Sequence, residues 1–207
     1  MIRYIIIIEL SLFCAQVYAQ KNISSETLVS WGENKTIISP ERNWIIDIVS
    51  SKDNDENAYA YLRKTTQNKP YFLFEIPRNA VVYWKRDIAI FVEDMFASSR
   101  YQIRLFYPLD TDSFPKNGLE IEDLISSDIN KRLKPTEEIV YYHPRLVSWI
   151  EDKIVVSVGI TTVNIEPRPF LLHCFGYEIN AQPLKITATL DEGEIKEKYG
   201  GACQFNP

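Results

Sequence analysis

The sequence predicts a mainly β protein in which antiparallel meanders pack as an open sandwich or a partial propeller, with one inserted amphipathic helix and a short C-terminal helix. Three observations predict this fold. The chain has 207 residues, 45% apolar and 13% aromatic, enough for a single domain with a substantial core. Apolar and polar residues alternate with a period of two along several segments. Glycine is scarce, with seven residues, so asparagine, aspartate and proline are expected to make the turns.

Residues 1–19 are predicted to be a secretory signal peptide. Met1-Ile2-Arg3 forms a short positive region, Tyr4 to Ala15 an apolar stretch interrupted by Glu9, and Val17-Tyr18-Ala19 a small-residue cleavage site. Cleavage would leave residues 20–207 as one exported β-rich domain, in a periplasm or outside the cell. No second apolar stretch there is long enough to span a bilayer.

Strands are predicted where apolar residues alternate with polar ones or where β-branched and aromatic residues form short runs. The clearest alternation runs from Leu184 to Leu190, and a shorter one runs from Tyr101 to Leu105. Runs of the second kind are typical of central strands. The further predicted strands are Trp44 to Val49, Ala58 to Leu62, Tyr71 to Ile76, Ile88 to Val92 and Ile154 to Val158.

The inserted helix is predicted from Leu119 to Leu133, where the apolar period changes from two to that of a helix. Pro135 ends it, since proline cannot continue a helix. The apolar positions that follow the i, i+3, i+4, i+8 spacing are Ile121, Leu124, Ile125 and Ile129.

The short C-terminal helix is predicted from Glu194 to Tyr199. Asp191 and Glu192 place negative charge at its positive end, and Gly200 is suited to cap its C-terminus.

Two segments, Pro77 to Asp87 and Pro144 to Asp152, repeat one pattern. In each, a strand reaches a tryptophan, an aspartate stands three residues later, and an apolar strand returns, which predicts a hairpin. This unit resembles the first hairpin of a blade in β-propeller proteins, although both copies lack the usual glycine after the aspartate. Blades need about 40–45 residues each, so at most about four would fit and no closed propeller is expected.

The cysteines predict a disulfide. Cys14 leaves with the signal peptide, and Cys174 and Cys203 remain as an even pair in an oxidising compartment. Closing a loop of about thirty residues would stabilise the fold by roughly 3–4 kcal/mol. A nucleophilic Cys174 assisted by His173 is disfavoured, because adjacent side chains in a strand point to opposite faces.

No catalytic, cofactor or metal site is predicted. The stretch from Glu33 to Asn117 contains no glycine, which disfavours phosphate-binding loops. Asp53 to Asn57 places oxygen ligands at alternate positions, but Ala58 stands where a calcium loop requires glycine. Two histidines, His143 and His173, are too few for a zinc site of recognisable spacing, and the Gly-x-Ser-x-Gly elbow of α/β hydrolases is missing.

Charge and aromatic content point to a protein partner. A net charge of −5 without a basic stripe disfavours nucleic acid and anionic membranes, which both select clustered lysine and arginine. An acidic protein attracts basic partners over long distances. Twelve tyrosines and four tryptophans suit a binding surface, although the same rings could fill the space between sheets.

Three functions are therefore considered. The first is a secreted or periplasmic protein-binding module, such as an inhibitor or toxin-immunity protein that acts by occluding its partner. The second is a structural component of an envelope or matrix. The third is a hydrolase with an unrecognised carboxylate site, which would need a deep pocket that holds two carboxylates with raised pKa values.

Overall fold

The fold is given by a computed structural model, which describes residues 25–30, 32–50, 57–87, 89–97, 99–107, 120–164 and 170–203. The predicted signal peptide lies outside the described residues, as do residues 53–56 of the acidic run. The described chain is mainly β, with two helices and two sheets, which confirms the predicted fold class.

The smaller sheet has four strands that follow each other along the chain and pair antiparallel. Its strand order is therefore that of a simple meander, as the sequence predicts for this region. Its strands are β2 (Lys35–Ile38), β3 (Trp44–Ser50), β4 (Ala58–Lys64) and β5 (Tyr71–Ile76). The first strand of the chain, β1 (Ser25–Ser30), belongs to the other sheet.

The larger sheet has eight strands in the order β1-β6-β7-β8-β9-β10-β11-β12. Two further meanders, β6 to β8 and β9 to β12, lie side by side in it. The inserted helix α1 (Glu120–Arg132) lies between them along the chain and ends one residue before the predicted Leu133. The strands are β6 (Asn79–Lys85), β7 (Ala89–Ala97), β8 (Arg100–Phe106), β9 (Glu137–Ile150), β10 (Lys153–Asn164), β11 (Phe170–Ala181) and β12 (Leu184–Leu190).

The central strands β6 and β7 are buried on both faces, which makes the molecule a sandwich rather than a single layer. Val82 and Trp84 of β6 pack with the inner side chains of the four-stranded sheet. Their neighbour Tyr83 points the other way, because side chains alternate along a strand. It joins a second core with Phe91 of β7, side chains of β9 to β11 and the apolar face of α1. Of the two predicted arrangements, the open sandwich is the one observed.

The two repeated segments form hairpins, as predicted. Trp84 is paired with Ile90 across the first hairpin, and Trp149 with Ile154 across the second, and both tryptophans are buried. Each turn contains a residue in the left-handed region, Arg86 with φ 52° or Glu151 with φ 51°. A glycine would adopt this conformation without strain.

The parallel junction between β8 and β9 consists of a single bridge, Arg100↔Tyr142, within the described residues. The Tyr142 N–H donates to the Ser99 carbonyl at 2.9 Å. Two residues further along β9, Pro144 has no N–H to offer. Two residues beyond that, the Leu146 N–H donates to the carboxylate of Glu93 instead of to β8. The parallel pairing of β8 with β9 therefore does not extend beyond this bridge among the described residues.

The C-terminal helix α2 (Glu192–Tyr199) begins two residues before the predicted Glu194 and ends at Tyr199 with the predicted cap at Gly200. Asp191 and Glu194 form a capping box, in which each side chain accepts the other's backbone N–H, and Gly200 ends the helix with φ 63°. After α2 the chain returns to the sheet, where the Sγ atoms of Cys174 and Cys203 lie 2.02 Å apart, at disulfide distance. None of the helices in the described residues is long and apolar enough to span a membrane.

Candidate functional site

The outer surface of the four-stranded sheet carries a connected set of exposed aromatic and apolar side chains. Ala58, Ala60 and Leu62 of β4 point inward and are fully buried, so the side chains between them point outward. Register then assigns the rest of the face, because residues directly opposite each other share one side of a sheet. This tyrosine face comprises Ile45, Asp47, Val49, Tyr59, Tyr61, Arg63, Phe72 and Glu75.

Phe72 is the centre of the aromatic part of the tyrosine face. Its ring centroid lies 5.9 Å from that of Tyr61, edge-on at 67°, and 6.5 Å from that of Tyr59. Edge-on geometry at this separation is the favourable arrangement for aromatic pairs. Phe72 nevertheless remains 57% exposed, and Val49, paired with Tyr59, is 44% exposed.

A β-bulge in β5 sets the direction in which Phe72 points. The register passes from Ala60↔Phe74 to Tyr61↔Phe72, so Leu73 has no partner in β4. The extra residue allows the consecutive side chains of Leu73 and Phe74 both to be buried, while Phe72 stands on the outer face.

The charged side chains of the tyrosine face already have polar partners. The Arg63 Nε donates to Asp47 at 2.6 Å, and the Thr36 hydroxyl donates to the other Asp47 oxygen at 2.9 Å. Glu75 accepts a hydrogen bond from the side chain of Asn57. The face therefore combines rigid aromatic area with polar groups that are already oriented, which is the usual composition of a surface that binds another macromolecule.

A groove of about 320 Å³ lies on the other side of the molecule, between α1 and the beginning of β9. Its floor includes Ile129 of α1 and Tyr142 of β9, and Arg100 of β8 stands at one end. The residues that line it are Ser99, Arg100, Ser126, Ile129, Asn130, Ile139, Val140, Tyr141 and Tyr142.

A smaller cavity of about 220 Å³ contains His143. The imidazole stacks on Tyr101 with 3.9 Å between ring centroids, and its Nδ1 lies 2.8 Å from the Tyr141 hydroxyl. Burial, together with the nearby Arg145 charge, lowers the pKa of His143 to about 4, so this histidine is neutral at physiological pH. His143 is therefore held by its contacts with the rings of Tyr101 and Tyr141.

The hydrolase hypothesis requires two carboxylates with raised pKa values in one pocket, and three buried carboxylates are relevant to it. Glu93 lines the smaller cavity and accepts hydrogen bonds from Tyr83 and from the backbone of β9. Burial raises the pKa of Asp94 to about 6 and that of Glu122 to about 7. Asp94 lies on the opposite side of β7 from Glu93, and Glu122 lies on α1. Neither cavity described above is lined by two of these carboxylates.

The second histidine also has structural partners. The Nε2 of His173 lies 3.1 Å from the Thr162 hydroxyl oxygen and 3.3 Å from a Glu137 carboxylate oxygen. A catalytic relay needs the acid on one ring nitrogen and the nucleophile on the other, whereas here one nitrogen faces both. The described residues contain no cluster of histidine, cysteine and acidic side chains that could hold a metal.

The alternation in β4 predicts a strand with two different faces, but it does not show which face is exposed. The segment from Ala58 to Leu62 alternates Ala58, Ala60 and Leu62 with Tyr59 and Tyr61, and the alternation alone does not decide which set faces inward. The structure buries the alanines, because Trp44, Ile46 and Ile48 of the paired strand β3 already occupy the inner side.

Comparisons with known proteins give no relative: no family model, no curated protein and no solved structure matches this chain.

Proposed function

We propose that this chain is an exported protein-binding module, that the tyrosine face is its contact surface, and that it acts by occluding its partner, as inhibitors and toxin-immunity proteins do. The observation that carries the proposal is Phe72, a large apolar ring held against Tyr59 and Tyr61 on a sheet face and still 57% exposed.

Covering the tyrosine face would be favourable because it buries apolar area at a small cost in conformational entropy. Aromatic side chains remove a large apolar area from water, and rings on paired strands lose little conformational freedom when they are covered. The Asp47–Arg63 ion pair is already formed, so a partner does not have to order it. Rigid anchors surrounded by satisfied polar groups are the arrangement in which a few residues supply most of the affinity.

The charge of the chain favours a basic partner. A net charge of −5 would speed the encounter with a positively charged protein, and this effect would fall as salt screens it. Export is consistent with the cysteine pair at disulfide distance.

The experiment begins with the mature chain, residues 20–207, immobilised and exposed to the secreted or periplasmic fraction of its source cells and to the products of neighbouring genes. A captured protein is then titrated against variants of the bait. Phe72→Ala is expected to weaken binding at least tenfold, which corresponds to about 1.4 kcal/mol. The matched control is Leu172→Ala on β11, an apolar side chain that is 61% exposed outside the tyrosine face.

Two results would contradict the proposal. One is the absence of any captured protein at micromolar bait. The other is a partner whose affinity is the same for Phe72→Ala and the parent chain.

A second candidate, the envelope component, is favoured by one observation. Phe170 and Leu172 are 71% and 61% exposed at the end of the β10–β11 hairpin, away from the tyrosine face. If this apolar end mediates assembly, the protein sediments with envelope fractions or self-associates, and Leu172→Ala releases it. A freely soluble monomer would argue against this candidate.

A further inference from the structure

Strand β9 has an edge that no described strand covers over its first five residues. On one side, β10 pairs with β9 from Glu137 to Ile150. On the other side, β8 begins only at the Arg100↔Tyr142 bridge and runs parallel to β9 from there. Within this uncovered stretch, residues 139–141 border the groove beside α1 directly.

The lining of the groove supports this placement of the backbone. Four consecutive residues, Ile139 to Tyr142, contribute to its wall. In a regular strand only alternate side chains face one cavity, so four consecutive lining residues require that the backbone edge, a bulge or both contribute to the wall. A bulge at Val140 contributes, because the register passes from Tyr141↔Thr161 to Ile139↔Thr162 and leaves Val140 unpaired.

The opposite wall is helical. Ser126, Ile129 and Asn130 of α1 face the groove, so a free strand edge and a helix enclose a space of about 320 Å³. An extended peptide can occupy such a space by adding a strand: its main chain bonds to the edge, and its side chains contact the helix. Ile129, Ile139 and Val140 provide an apolar surface for one of those side chains.

The end of the groove selects the polarity of the peptide. Arg100 is the only charged residue among the described residues that line the groove, and it stands beside Ser99. A bound peptide that lies in line with β8, ahead of its first residue, and runs parallel to β9 would place its C-terminal carboxylate at Arg100. Arginine is well suited to a carboxylate, because its planar fork donates two parallel hydrogen bonds.

We propose that this groove binds the free C-terminus of another protein as an added strand parallel to β9, with the terminal carboxylate at Arg100 and an apolar terminal side chain against Ile129, Ile139 and Val140. The groove lies apart from the tyrosine face and does not depend on it, so either proposal can fail without the other.

The test uses short, N-terminally labelled peptide pools that end in Val, Ile, Leu or Phe, each made as the free acid and as the C-terminal amide. Fluorescence anisotropy with the full mature chain measures binding. At least one acid pool is expected to bind with a dissociation constant below about 100 μM, and its amide at least about tenfold more weakly. Arg100→Gln should reduce the affinity for the acid to that for the amide. Lys131→Gln, which removes an exposed cation from the same helix, should change neither.

A third variant separates peptide binding in the groove from binding elsewhere. Asn130→Trp places a large side chain in the groove at an exposed helix position and should abolish binding of every pool. The proposal is overturned if no pool binds up to about 1 mM, if acid and amide bind equally, or if Asn130→Trp retains binding. N-acetylvaline that binds as tightly as the peptides would also overturn strand addition, because it would show a site for small carboxylates.

Discussion

Asp94 on β7 and Arg104 on β8 form an ion pair, 2.9 Å long, on the side of these strands that faces the four-stranded sheet. The Asp94 side chain is completely buried, and the Arg104 side chain is 16% exposed. The guanidinium lies over the ring of Phe74, 5.6 Å from its centroid, and also donates to Gln102. Both residues of the pair belong to the eight-stranded sheet, and the contact of Arg104 with Phe74 of β5 connects the pair to the four-stranded sheet.

Arg104→Met is expected to lower the free energy of unfolding by about 3–5 kcal/mol at neutral pH. The substitution keeps the apolar stem of the side chain but leaves the Asp94 carboxylate buried without its counter-charge, which is the costly way to break a buried pair. Urea unfolding monitored by tryptophan fluorescence measures the change.

The chain offers a matched control for that experiment in Arg63, which forms a more exposed Arg–aspartate pair with Asp47, the two side chains being 26% and 27% exposed. Arg63→Met should cost about 0.2–1 kcal/mol, since exposed pairs are well solvated. Equal losses for the two variants would show that burial does not decide the contribution of the Asp94–Arg104 pair.

Glu122 is expected to make the fold less stable as the pH rises. It lies on α1 against β8, where it accepts hydrogen bonds from Ser126 at 3.2 Å and from the Ile103 N–H at 3.4 Å. Burial raises its pKa from 4.5 to about 7 despite these bonds. A carboxyl group with a raised pKa supports the folded state below its unfolded pKa, and that contribution is lost as the pH rises through the folded value. The loss attributable to Glu122 between about pH 4.5 and pH 7 is about 3 kcal/mol.

Glu122→Gln isolates this effect, because glutamine has a similar shape and does not titrate. The free energy of unfolding of the variant, relative to the parent chain, should increase by about 3 kcal/mol between about pH 4.5 and pH 8. Asp94, whose pKa is also raised, is present in both proteins and cancels in this difference. A difference that stays constant over the range would rule out a titrating buried Glu122.

The strands with an uninterrupted pattern were predictable almost to the residue. Tyr71–Ile76 and Leu184–Leu190 have the bounds that the sequence predicts, because each lies in one layer with a regular alternation or a compact aromatic run. The Gly200 cap and the acidic start of the C-terminal helix were equally predictable, since both depend on local chemistry, whereas the capping box of Asp191 and Glu194 was not predicted.

The long strand β9 was not predictable beyond its hairpin end. It contains Pro144, which ordinarily argues against a paired strand. The structure tolerates this proline because β8 leaves the ladder at that point, and the carboxylate of Glu93 accepts the next available N–H on that side, from Leu146. The Glu93 carboxylate thus accepts a hydrogen bond that a neighbouring strand would otherwise accept. Glu93 and Leu146 are far apart in sequence, and no local pattern indicates this contact.

The sequence predicted that a binding surface exists but not which residues form it. Aromatic content pointed to a binding surface, but whether Tyr59 and Tyr61 face outward depends on which side β3 has already filled. The β9 groove depends on where β8 begins, which follows from tertiary packing rather than from the residues of β9.

Glycine at the turn of the second tryptophan hairpin is expected to stabilise the protein. Glu151 has φ 51°, a left-handed conformation that costs a non-glycine residue roughly 1–2 kcal/mol. Glu151→Gly relieves this strain but increases the freedom of the unfolded chain, so we expect a net gain of about 0.5–1 kcal/mol, seen as a higher melting temperature. Asp152→Gly is the control, since Asp152 lies outside the left-handed region and should lose stability. A destabilised Glu151→Gly would show that the Glu151 side chain contributes more than its backbone strain costs.

The pair Cys174 and Cys203 is expected to stabilise the fold by about 3 kcal/mol, because it closes a loop over a sequence separation of 29 residues and so restricts the unfolded chain. The native tail has contacts besides the disulfide: the Ser157 hydroxyl donates to the Ala202 carbonyl at 3.2 Å, and a Cβ on Gly201 would stand 2.5 Å from Val147. The double variant Cys174→Ser/Cys203→Ser should therefore fold with the tail in place but unfold at lower denaturant. Reductant should lower the stability of the parent chain by the same amount and leave the double variant unchanged. If reductant has no effect on the parent chain, the two thiols are not joined in the protein as isolated, and the oxidising compartment inferred from them loses its physical support.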